Sequence, residues 1–161
     1  MKSFDSTLPL SAQLRLLLEG ERDWLANAAN AAALIGAGLP GLNWAGFYFL
    51  RRGELVLGPF SGRPACVRIS LDRGVCGRAA RLRQTQVVAD VQAFPGHIAC
   101  DAATRSEIVV PLLKDGRLLG VLDLDSPEPD RFATLQAEVE ALAAIYLEAS
   151  DFSSLTLGDD R

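Results

Sequence analysis

EIVVPLLKDGRLLGVLDLD, residues 107–125, decides the fold. Two β-rich runs flank Asp115-Gly116, and Asp-Gly between such runs is a strong hairpin signal. In Val121-Leu122-Asp123-Leu124-Asp125 the two carboxylates stand at i and i+2, hence on one face of an otherwise apolar strand. Charged groups in such a strand are costly unless they are solvated or used. Whether Glu107 joins them depends on the turn. A two-residue loop sets Glu107 opposite Leu124, away from Asp123 and Asp125. A three-residue loop, Lys114-Asp115-Gly116 with Gly116 left-handed in a G1 bulge, sets Glu107 opposite Asp123. The three-residue loop is the expectation, and with it a single face carrying Glu107, Asp123 and Asp125. Direct pairing of Lys114 with Arg117 excludes that loop.

Outward from the hairpin, Pro127, Pro129 and Asp130 open a final amphipathic helix over about 131–149. Upstream, 90–104 has no periodicity and reads as a loop, preceded by a short strand at Val87-Val88-Ala89. Asp72 to Arg83 reads as a short helix with Asp72 as its N-cap. Cys66 to Ser70 forms a short strand, and Arg51-Arg52-Gly53 joins strands at Trp44–Leu50 and Glu54–Gly58. Leu10, Leu14, Leu17 and Leu18 repeat at helical spacing, Gly20 breaks the run, and a second, Ala-rich helix from about Glu21 stops at Gly36 and Gly38. Pro40-Gly41 turns the chain. Helices flanking mostly antiparallel strands make the class α+β. One domain over 1–161 is expected, with flexible ends at 1–9 and 150–161.

A chain of 161 residues, 49% hydrophobic and 22% charged, buries enough surface to fold without a disulfide or metal. The net charge of -4 gives no sign of a nucleic-acid or membrane partner. The first residues lack an apolar run with a cleavage site, and no apolar stretch reaches the ~20 residues of a membrane span. A soluble cytoplasmic protein is therefore expected. Eight of the fourteen arginines fall between Arg51 and Arg83, but no interleaved aromatics accompany them, so they read as a solvated face.

Three cysteines in a reducing compartment are buried core thiols or working ones, since an odd count leaves one unpaired. Cys76 lies in Gly-Val-Cys-Gly at a helix start, where unpaired N–H groups and the dipole favour a thiolate. Cys100 sits in an irregular loop, suited to presenting a nucleophile. Cys66 has Arg63 and Arg68 near it in sequence. His97, the sole histidine, is either a base for Cys100 or a loop-ordering group. Trp44 and Tyr48 share a strand face, as core packing or as pocket walls. Three cysteines in polar, Gly/Pro-rich settings favour thiol–disulfide chemistry.

Asn43-Trp44-Ala45-Gly46-Phe47-Tyr48, Gly58-Pro59-Phe60, Pro64-Ala65-Cys66, Gly74-Val75-Cys76-Gly77, Phe94-Pro95-Gly96-His97-Ile98-Ala99-Cys100, Ser106-Glu107-Ile108-Val109-Val110-Pro111 and Gly120-Val121-Leu122-Asp123-Leu124-Asp125-Ser126 follow in that order. Together they resemble the free methionine-R-sulfoxide reductases, single-domain enzymes of GAF fold. The resemblance implies reduction of free methionine-R-sulfoxide to methionine, without bound cofactor or metal. A thiolate attacks the sulfoxide sulfur, a sulfenic acid is left, a second cysteine forms a disulfide, and thioredoxin reduces it. By the same resemblance Cys100 matches the nucleophile, Cys66 a resolving cysteine and Cys76 a third that resolves or relays. Glu107, Asp123 and Asp125 match residues that bind the ammonium group, and Trp44 and Tyr48 the wall around the S-methyl group. A homodimer is also implied. The residues themselves leave Cys76 as a second candidate nucleophile, from its helix start.

Two other functions compete. A GAF-type sensor or binding module uses the aromatics and carboxylates but leaves three cysteines idle. A zinc site from Cys66, Cys76, Cys100 and His97 lacks the close ligand pairs typical of such sites.

Overall fold

The computed structural model describes residues 7–97 and 100–155. Helices α1 (Leu10–Leu18) and α2 (Trp24–Gly38) lead into strands β1 (Trp44–Arg51), β2 (Glu54–Gly62) and β3 (Arg68–Ser70). Helix α3 (Gly74–Leu82), strand β4 (Gln86–Val88) and a 3₁₀ turn (Val91–Ala93) follow. Strands β5 (Ser106–Lys114) and β6 (Arg117–Ser126) and helix α4 (Gln136–Ala149) complete the order. One six-stranded sheet runs β3-β2-β1-β6-β5-β4, with every pair antiparallel. The α+β expectation holds.

The sheet separates two cores. On one face α1, α2 and α4 pack over Ala45, Phe47, Phe49, Ile108, Leu112, Leu122 and Leu124. Alternate residues of the same strands, Trp44, Tyr48, Val109 and Val121, join Val75, Cys76, Ala79 and Ala80 of α3 in a smaller core on the other face. Period-two alternation sorts one strand into both. Helix α2 is Ala-rich on its inner side (Ala28, Ala31 and Ala32 are buried), so it lies close to the sheet. A Cβ at Gly36 would stand 2.6 Å from Ser61 Oγ. Among the described residues no helix is long and apolar enough to cross a membrane.

The 107–125 hairpin forms by a route other than the expected one. Lys114 pairs directly with Arg117, so the loop is the two residues Asp115 and Gly116, both left-handed at φ 51° and 75°. That is the turn whose twist suits two-residue hairpins. The three-residue loop is thereby excluded. The face is nevertheless shared, because the register slips between Leu112↔Gly120 and Leu113↔Leu118, leaving Leu119 as an extra residue in β6. Beyond that bulge Glu107 opposes Asp125 and Val109 opposes Asp123. A bulge placed in the strand does what was expected of the turn. Gly120 sits beside it, where a Cβ would come within 2.0 Å of the Tyr48 carbonyl oxygen.

Other boundaries shift for local reasons. Helix α2 starts at Trp24 rather than Glu21, because Asp23 is the N-cap and accepts from the Ala26 N–H at 2.8 Å. Asp72 does not cap α3. Arg73 takes the cap position without a side-chain bond, and the Gly74 N–H donates to the Gly96 carbonyl at 3.1 Å. Helix α4 begins at Gln136, since Phe132 is buried and Arg131 turns back to donate to the Pro40 carbonyl. Within the expected flexible ends, the described residues are bonded to the rest of the fold. Leu8 and Pro9 carbonyls accept bonds from Gln13, the Asp151 N–H donates to Arg22 O, Trp24 Nε1 donates to Ser154 Oγ, and Leu155 is buried. These contacts hold 150–155 on the larger core, and the rest of both expected ends lies outside the described residues.

Candidate active site

The smaller core opens into a pocket at its edge. Its walls are Trp44 and Tyr48 from β1, Cys76 from α3, Glu107 from β5 and Asp123 and Asp125 from β6, closed by the 63–65 segment and the loop carrying His97 and Cys100. The concavity and the open solvent at its mouth together span about 560 Å³ free of protein atoms. Of the eight sequence-derived site residues, seven line it. The eighth, Cys66, is bonded to Cys100 across a Cα–Cα distance of 5.7 Å, and its carbonyl accepts from the Tyr48 hydroxyl at 2.9 Å.

Each wall residue is placed by the strands. Trp44 opposes Asp125, Gly46 opposes Asp123 and Tyr48 opposes Val121, so β1 aromatics and β6 carboxylates face the same side. Gly46 lies between Trp44 and Tyr48. A Cβ there would stand 2.4 Å from Phe60 Cβ and 2.7 Å from the Trp44 ring. Its absence lets Trp44 stack on Phe60 at 5.4 Å between centroids and on Tyr48 at 5.8 Å. Trp44 Nε1 donates to the Arg63 carbonyl at 3.1 Å, pinning the segment before Cys66 to the wall.

Electrostatically the pocket is a nest of buried acids. Glu107 and Asp123 are 6% and 5% exposed. Desolvation raises all three carboxyls, with Asp123 adding to the rise at Glu107 and Asp125. Asp123 itself is pushed up to about 7, chiefly by burial, against the lowering effect of bonds from Cys76 and Glu107. Asp123 Oδ1 and Asp125 Oδ1 are buried without a hydrogen-bond partner. Such a nest suits a cationic group that would satisfy the free oxygens.

Cys76 is not the thiolate its helix start suggests. It is buried, and its Sγ donates to Asp123 Oδ2 at 3.3 Å, with Glu107 Oε1 at 3.9 Å. Burial first, then the neighbouring carboxylates, raise its pKa well above that of a free thiol. A helix N-terminus is worth about 2 kcal/mol at most, less than desolvation beside anions. His97 lines the pocket with Nδ1 buried and unpartnered, and burial lowers its pKa, so the ring is neutral. Its backbone N–H donates to the Phe94 carbonyl at 3.2 Å, a turn bond that does not involve the ring. Ile98 and Ala99, part of the Cys100 motif, lie outside the described residues. The four-residue zinc arrangement does not form here, since Cys66 and Cys100 are joined to one another.

Sequence reasoning missed Arg63, Asp101 and Thr104 as wall residues, and Asn43 behind them. Asn43 Nδ2 donates to Asp101 Oδ2 at 3.2 Å and Thr104 Oγ1 at 3.0 Å, while its N–H donates to the Asp125 carbonyl. It ties the segment after Cys100 to the end of β6. These partners are 58 and 61 residues away in sequence, with no periodicity linking them.

A GAF domain model matches residues 19–150. The chain is 51% identical over 123 residues to a free methionine-R-sulfoxide reductase of Escherichia coli, covering 76% of this chain and 74% of that protein. It is 45% identical over 145 residues to a free methionine-R-sulfoxide reductase of Saccharomyces cerevisiae, covering 84% and 81%. Among solved structures, the free methionine-R-sulfoxide reductase of Neisseria meningitidis in complex with its substrate superposes with a TM-score of 0.84 at 44% identity, covering 92% of each chain.

Proposed function

The chain belongs to the free methionine-R-sulfoxide reductases of GAF fold, and from that premise we propose that it reduces free L-methionine-R-sulfoxide to methionine by cysteine chemistry in this pocket. The observation that carries the reading is the meeting, in one pocket, of a buried carboxylate nest, an aromatic wall and Cys100. The substrate's ammonium enters the nest and takes up the free oxygens of Asp123 and Asp125. Its S-methyl group rests against Trp44 and Tyr48. Arg63 is the cationic wall residue that remains once His97 is neutral, and it faces the α-carboxylate.

The Cys100 thiolate attacks the sulfoxide sulfur. The oxygen passes to Cys100 as a sulfenic acid and methionine leaves with its thioether restored, so the substrate is reduced by two electrons and the cysteine oxidised by two. Glu107, held protonated by burial, donates to the oxygen as its bond to the substrate sulfur breaks. Cys66 then attacks the sulfenic sulfur, forming the Cys66–Cys100 bond and expelling water. Thioredoxin returns both thiols by exchange and is itself oxidised. No bound cofactor enters these steps. The enzyme works in the cytoplasm as a homodimer, a state that light scattering reads directly.

The test is NADPH consumption with thioredoxin, thioredoxin reductase and free methionine-R-sulfoxide. Turnover of that substrate, with the S epimer and a peptide-bound sulfoxide inert, is expected. Tight binding without turnover would support the sensory-module reading. Arg63→Gln should raise KM for the free amino acid about tenfold with little change in kcat, one charge-assisted contact being worth about 1.5 kcal/mol or more. Methioninamide sulfoxide, which lacks the carboxylate, should feel no such change. An equal loss on both substrates would remove Arg63 from recognition.

A further inference from the structure

Once Cys66 and Cys100 are joined, Cys76 is the one free thiol. It is set against two carboxylates in ligand geometry. Its Sγ lies 3.3 Å from Asp123 Oδ2 and 3.9 Å from Glu107 Oε1, and one ligand atom from each residue falls within 4.8 Å of the others. A tetrahedral zinc ion, with bonds of about 2.3 Å to sulfur and 2.0 Å to oxygen, sets a sulfur–oxygen edge of about 3.5 Å. The two observed distances bracket that edge. Asp123 is 5% exposed, and while its Oδ2 accepts from Cys76, its Oδ1 is buried without a partner on the pocket wall. The pocket is open, so an ion has an entry path and a fourth position for water.

We propose that Cys76, Glu107 and Asp123 form a three-ligand site for a thiophilic divalent cation such as Zn²⁺, which inhibits by occupying the ammonium subsite. Binding displaces the thiol proton to solvent and changes no oxidation state. The sulfur and the shortage of oxygens select against Mg²⁺ and Ca²⁺, which require six or more oxygen ligands. The site stands on the cluster's geometry, and only the inhibition rests on the proposed activity.

The experiment uses the oxidised wild-type protein, in which Cys76 is the sole thiol. Titration with Co²⁺ should produce a thiolate-to-cobalt charge-transfer band in the near ultraviolet, saturating at one equivalent with release of protons. Zn²⁺ should abolish the band by displacement. In Cys76→Ser the band should vanish and Zn²⁺ affinity fall at least about tenfold. Saturating Co²⁺ without the band would overturn the site, as would unchanged Zn²⁺ affinity in the variant. The wild-type spectrum decides even if that variant fails to fold. Free methionine, which carries the same ammonium group, should raise the apparent Kd for Co²⁺, and an unchanged Kd would overturn the inhibitory role.

Discussion

Cys100→Ser is expected to lose turnover of free methionine-R-sulfoxide by about 10³-fold or more, in multiple and in single turnover alike, because it removes the attacking atom. Cys66→Ser should behave differently. It should release one equivalent of methionine per chain and then stall, leaving a sulfenic acid on Cys100 that a dimedone-type reagent traps. Cys76→Ser should keep the first turnover, since the burial that raises the Cys76 thiol makes it a poor nucleophile. Full single-turnover reduction by Cys100→Ser, with loss in Cys76→Ser, would move the nucleophile to Cys76. Stability has to be held level in the comparison. The Cys66–Cys100 bond closes a sequence separation of 34 residues, worth about 3–4 kcal/mol in the chain-entropy account. Cys66→Ser and Cys100→Ser lack it, so their proper reference is the reduced wild type, whereas Cys76→Ser keeps it.

Asp123→Asn should produce the second large effect, stabilising the fold while emptying the ammonium subsite. The wild-type carboxyl is pushed up to about 7 from an ordinary value near 3.8, first by burial. A group raised on folding contributes stability that is full below its unfolded pKa and lost as pH climbs through its folded pKa. The loss therefore falls between about pH 4 and 7, and a shift of this size corresponds to about 4 kcal/mol. Asn keeps an oxygen to accept from Cys76 and carries no charge. At pH 8 the variant should melt about 5–10 °C above the wild type, with the gap closing by pH 4. Thermal melts across that range are the check, with KM for free methionine-R-sulfoxide rising in the same variant. A gap independent of pH, or a lower melting point at pH 8, would show that Asp123 carries no such burden.

Much of this site was legible because strands write their faces into sequence. Trp44 with Tyr48, and Asp123 with Asp125, share faces by simple alternation, and the antiparallel pairing of β1 with β6 brings the pairs together. The shared face of Glu107 was foreseen, but through the wrong device. Gly120 inside Leu118-Leu119-Gly120-Val121 is the one sign of the bulge, a weaker mark than the Asp-Gly turn beside it. Asp72 looked like a cap because Asp is a good one, yet a tertiary bond from Gly74 to Gly96 supplies the helix start instead. The state of Cys76 was misjudged for a related reason. A helix terminus is local and readable, while the two carboxylates against the sulfur arrive from 31 and 47 residues away. Asn43 and its partners were illegible on the same ground, being contacts between loops rather than repeats within elements.

The extra residue at Leu119 gives the hairpin a parity. With a two-residue turn and no bulge, Glu107 would stand on the larger-core side opposite Leu124, a carboxylate beside Leu122, Leu124 and Phe47. One irregularity inverts the sidedness of everything beyond it, and a second restores it. Length changes between Glu107 and Asp123 are thus silent in pairs and ruinous singly. An insertion of two residues at the Asp115-Gly116 tip lengthens the ribbon, whereas one residue gained or lost turns the acid nest inside out.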